Sequence, residues 1–124
     1  MKIICLLFLT ILIQIPINAE LFKSKEEENI LLNRLKASYT YAFINCLVKQ
    51  KGISKEYSDK GITTTLQLAE IMLADEYQLN PNLLLNNKVI ETAEIMEKYI
   101  GDNCSNNVFF QSEEIFTDLI NAVR

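Results

Sequence analysis

Two cysteines and one run of glutamates are the residues of this chain whose type and spacing could do chemistry. Cys46 and Cys104 stand about sixty positions apart, while Cys5 falls in a different kind of segment at the start. Glu91, Glu94 and Glu97 recur every third residue. A carboxylate pair can hydrolyse a glycoside when one acid is buried and its pKa raised. Here the acids alternate with an apolar stripe, which places them on a wet helix face rather than in a cleft. The chain has no histidine. That removes the usual Ser-His-Asp and Cys-His nucleophilic sites and the commonest transition-metal ligand. The three glycines are dispersed, so no phosphate-cradling loop is present. Asn103-Cys104-Ser105 matches a glycosylation sequon, but beside a disulfide it is a poor acceptor. The residues therefore point away from an enzyme, and no cofactor or metal is expected.

Residues 1–19 read as a cleaved signal peptide. Lys2 gives a positive start, Ile3 to Ile13 is an almost unbroken apolar run, and Ile17-Asn18-Ala19 follows Pro16 at the expected cut. The run is shorter than the ~20 residues a spanning helix needs. Residues 20–124 then form one helical domain of roughly a hundred residues, enough for one core. Lys2 is the only charge lost with the peptide, so the formal charge becomes 11 − 16 = −5. An acidic chain is a poor ligand for nucleic acid or an anionic membrane, and a charged partner would be basic. Two cysteines in a small exported domain are expected to pair. Closing about sixty residues would contribute ~4 kcal/mol in the chain-entropy model.

The elements that must position these residues are helical. Ser24-Lys25-Glu26-Glu27 is a capping box, and Leu31, Leu35, Tyr39, Ala42 and Cys46 share one face of the helix that follows. Phe43 and Leu47 widen that face, and Lys49, Lys51 and Gly52 mark its end. Ser54 to Gly61 reads as a polar connector. The spacing predicts a second helix over 62–77, with Ile62, Leu66, Ala69, Leu73 and Tyr77 on one side. A third helix begins at Pro81 or near Asn87, carries Leu85, Val89, Ala93, Met96 and Ile100, and stops at Gly101. Ser112 caps a last helix with Ile115, Phe116, Leu119, Ile120 and Val123 inward. Val108-Phe109-Phe110 is the one short strand candidate. The expected fold is all-α, a small bundle of about four helices tied by one disulfide.

Four features in this order resemble the periplasmic immunity proteins that neutralise peptidoglycan amidase effectors of type VI secretion, the Tai family and its fourth class. They are an aromatic helix run ending in Cys-Leu (Tyr41 to Leu47), then Asp59-Lys60-Gly61-Ile62-Thr63-Thr64, then Leu73-Ala74-Asp75-Glu76-Tyr77, and finally Cys104 ahead of Ser112-Glu113-Glu114. They span most of residues 20–124. Ile62 and the threonines stand where that family usually has serines and alanines. The resemblance implies a periplasmic, helical, dimerising domain that plugs the cleft of a cysteine amidase. It also implies effector contacts at Asp59, Gly61, Thr63 and Thr64. The sequence character of residues 78–87 makes that loop a second contact candidate. The structural alternative is that Gly61 begins a helix and the threonines cap it. An extracytoplasmic helical carrier of a small apolar ligand is the other functional class the composition permits. A core of this size, however, needs its apolar side chains for itself.

Overall fold

The computed structural model describes residues 21–50, 55–62, 64–101, 103–104 and 112–124. The signal-peptide expectation, Thr63, the Val108–Phe110 strand candidate, the Lys51-Gly52 stop and Ser105 of the sequon lie outside them. Among the described residues the chain is helical, with no strand. The architecture is the expected small all-α bundle, closed by a Cys46–Cys104 disulfide.

Helix α1 spans Lys25–Lys49 and begins at Ser24, whose hydroxyl accepts the Glu27 N–H at 3.1 Å. The second half of the expected capping box is re-routed. Glu27 accepts from the Lys23 N–H at 3.5 Å and pairs with Arg124 at 3.3 Å, tying the first turn to the other end of the chain. The inward face holds Leu31, Leu35, Tyr39, Ala42 and Phe43, with Tyr39 stacked on Phe43 at 6.0 Å between centroids. Burial does not stop at that stripe. Ala37, Ser38, Thr40 and Ile44 are buried too, so between residues 37 and 44 the helix is enclosed on nearly all sides. It is a central post, packed against every later long helix.

The polar connector is corrected by a short helix, α2, over Lys55–Asp59, with only Tyr57 buried. One inward side chain in five residues leaves no period to read. The second helix starts later than expected. Helix α3 covers Thr65–Met72, and Thr64 caps it by accepting the Gln67 N–H at 3.2 Å. Residues Leu73–Tyr77 continue as one wide π turn that ends at Gln78 in the left-handed region, φ 54°. Both starts considered for the third helix are used. A 3₁₀ turn occupies Pro81–Leu85, capped by Asn80, and helix α4 runs over Asn87–Glu97, capped by Asn86. Leu84 rather than Leu85 faces the core, because the 3₁₀ turn shifts the phase by about a residue. Helix α4 stops at Glu97 instead of reaching Gly101.

Helix α5 covers Glu113–Val123 behind the expected Ser112 cap and buries Phe116, Leu119, Ile120 and Val123. Pairings of rising number show that α4 runs parallel to α1: Ser38 with Val89, Asn45 with Glu97, Cys46 with Gly101. Helix α5 runs back down, since Arg34 meets Val123 and Arg124. Two apolar clusters fill the space. The larger joins α1 to α5 and the disulfide; the smaller gathers Ala37, Ala69, Leu73, Leu84 and Val89. Tyr41 packs against both, so Tyr39 and Tyr41 are each packing residues.

Candidate functional site

Of the expected contact residues, Asp59, Gly61 and Thr64 fall on the connection between α2 and α3. Asp59 is the last residue of α2 and is exposed. Gly61 ends that helix rather than beginning the next, which corrects the structural alternative. Its φ is 71°, its N–H donates to Ser58 O at 3.0 Å, and the Ile62 N–H donates to Tyr57 O at 3.2 Å. That pair of bonds is a Schellman motif with glycine in the left-handed position. Tyr57 and Ile62, the residues bracketing it, both pack on the larger core cluster. Thr64 spends its hydroxyl on the α3 cap, as the structural alternative expects of it. Asp59, Gly61 and Thr64 are thus neighbours along the chain, and all three are exposed.

The connection is a braced tip. Its base is fixed by Tyr57 and Ile62, while Asp59, Lys60 and Gly61 are exposed. A β-carbon at Gly61 would meet nothing within 4 Å, so the backbone there is open to an approaching surface. Lys60 leans 5.7 Å above the Tyr57 ring and 3.6 Å from Glu56. The second loop candidate holds a 3₁₀ turn that packs against α1, α3 and α4. Residues 78–86 deliver the chain to Val89, which sits level with Ser38 in the middle of α1. Asn80 and Asn86 there spend their side-chain oxygens on the N–H groups of Asn82 and Lys88.

The three glutamates separate. Glu91 and Glu94 are exposed, as the wet-face expectation has it, but Glu97 is not. Its carboxylate accepts from the Asn45 side-chain amide and lies 3.7 Å from the Lys49 amine, fastening α4 to α1. A spacing of three falls short of a full helical turn, so two steps rotate the side chain by about 120°. That drift was available in the sequence. Among the described residues no group of acids and cysteines could hold a metal ion, and no helix is long and apolar enough to cross a membrane.

The sequence reading overlooked Arg34. Its guanidinium donates to Val123 O at 2.9 Å and Arg124 O at 3.3 Å, capping the end of α5. No protein-family model, curated protein or solved structure matches the chain.

Proposed function

We propose that the chain is an exported immunity protein that binds and inhibits a peptidoglycan-degrading amidase effector of type VI secretion. It acts in the periplasm as a homodimer. The motif resemblance names the class, and the braced tip is the observation that carries it to particular residues. Asp59 and Gly61 stand exposed on the turn after α2, whose flanking Tyr57 and Ile62 pack on the core, and a pre-ordered turn gives up little entropy on binding. Asp59 also lies at the C-terminal end of a helix, where negative charge is unfavourable. Helix stability therefore does not account for that exposed carboxylate, which leaves it available to a partner. The disulfide fits an oxidising compartment.

Residues 20–124, purified in the oxidised form, should stop muropeptide cleavage by the amidase encoded beside its gene at equimolar concentration. An uninhibited amidase would sink the proposal. Asp59→Ala should weaken that inhibition by at least about tenfold, the loss of roughly one charge-assisted contact, with thermal stability unchanged. Equal loss of melting temperature and inhibition would instead mark Asp59 as structural.

A further inference from the structure

Helix α4 turns an outer face to solvent on which Lys88, Glu91, Glu94, Ile95 and Lys98 are all exposed, Lys98 being the helical residue that caps its end. Lys88 with Glu91, and Glu94 with Lys98, have spacings at which a helix can pair charges along itself. Among the described residues none of the four joins an ion pair. The other long helices differ. Helix α5 exposes Glu113, Glu114 and Asp118, charges of one sign. The exposed lysines of α1, Lys25 and Lys49, are each taken by a glutamate, and α3 exposes only Leu66 and Gln67.

Glu91, Ile95 and Lys98 form one stripe. Glu91 and Lys98 are seven residues apart, two turns or about 10 Å along the axis, with Ile95 between them. Ile95 keeps 37% of its surface in water although its side chain is large and apolar. Turned about a two-fold axis beside the midpoint of Glu94 and Ile95, the stripe is its own complement. An antiparallel copy sets Glu91 against Lys98 twice and Ile95 against Ile95 between them. Glu94 falls about 100° round from Ile95, at the rim.

We propose that this stripe is a self-docking surface, through which two copies of the chain meet antiparallel along α4. The inference rests on the homodimer of the proposed function and gives that dimer its face. A two-fold contact needs a patch complementary to itself, and the order acid, isoleucine, base along α4 meets that condition. A patch of one sign, such as that of α5, repels its own copy. Docking also withdraws Ile95 from water. A contact of one eleven-residue helix is smaller than the ~800 Å² per partner of a standard interface, so dimer and monomer exchange with concentration.

Sedimentation equilibrium of oxidised residues 20–124, from micromolar to millimolar protein, should show a monomer–dimer equilibrium that added salt weakens. Glu91→Lys and Lys98→Glu each set like charges face to face twice, and each should raise the dissociation constant at least about tenfold. The two together restore opposite charges and should return it to within about threefold of the unmodified chain. Neither residue is paired within the monomer, so melting temperatures should not move. Ile95→Ser should weaken the dimer without rescue by either change. An unmodified chain that stays monomeric would overturn both this surface and the homodimer. A dimer indifferent to the single changes, or a double variant no tighter than the singles, would overturn the surface alone. Amidase inhibition by the same samples reads the proposed inhibitory role separately, because Asp59 and Gly61 do not lie on α4.

Discussion

Two residues outside the right-handed region show how single positions set local stability. Gly61 and Gln78 each end a helical segment at positive φ, 71° and 54°. Gly61 does so without a side-chain penalty, whereas Gln78 carries one of roughly 1–2 kcal/mol. Gln78→Gly should therefore raise stability by up to about 1 kcal/mol, and Gly61→Ala should lower it by a similar amount, both read from urea midpoints. Because the added β-carbon of Gly61→Ala meets no neighbour, steric clash is not a rival explanation for its loss. Lys36 makes a second test. Burial pushes its amine below the ordinary value of 10.5, so the unfolded chain binds its proton more tightly than the folded one. The resulting cost is constant below the folded pKa and shrinks as pH rises toward 10.5. Lys36→Met should be the more stable protein at pH 7, with the gap narrowing in alkaline buffer. A gap that widened with pH would refute the desolvation account. Gly61 was legible in the sequence as a stop or start, but its direction was not, because only the two bonds to Ser58 and Tyr57 decide which helix it serves.

At the scale of elements, the caps at Ser24 and Ser112 were legible because they are local. Ser24, Asn80, Asn86 and Ser112 each accept from an N–H two or three residues on, as their types suggest. What escaped was everything that depends on a neighbour. The apolar stripe of α1 read as one face, yet Ala37, Ser38 and Ile44 are buried because α3 and α4 close over the other sides. Small residues permit this. Ala37 and Ser38 face Val89, and the Ser38 hydroxyl lies 2.9 Å from Val89 O and 3.0 Å from Arg34 O. Ser38→Ala should cost about 1 kcal/mol, the worth of one buried hydrogen bond. Ser38→Leu should cost about 1–3 kcal/mol, because the two helices would have to part. Comparable urea midpoints for the two variants would show that the contact is not closely packed. Helix α2 escaped for the same reason, since Tyr57 alone orients it against the core.

At the scale of the whole molecule, the disulfide works on the unfolded chain and the folded chain by different routes. In the folded bundle, α1 and α4 rise together while α5 descends to anchors at Arg34 and Glu27, so the helices are placed without it. In the unfolded chain the same bond closes a loop across a sequence separation of 58. The entropy of that closure amounts to about 4 kcal/mol in the chain-entropy model. Cys46→Ser/Cys104→Ser should therefore lose about that much stability in urea while keeping its helical circular dichroism and a single cooperative transition. The released chain expands further when unfolded, so the denaturant slope should rise as the midpoint falls. Had the bond acted mainly by holding native contacts, removing it would broaden the transition and strip helical signal before the midpoint. A steeper slope with native helicity intact is the result that separates the two routes.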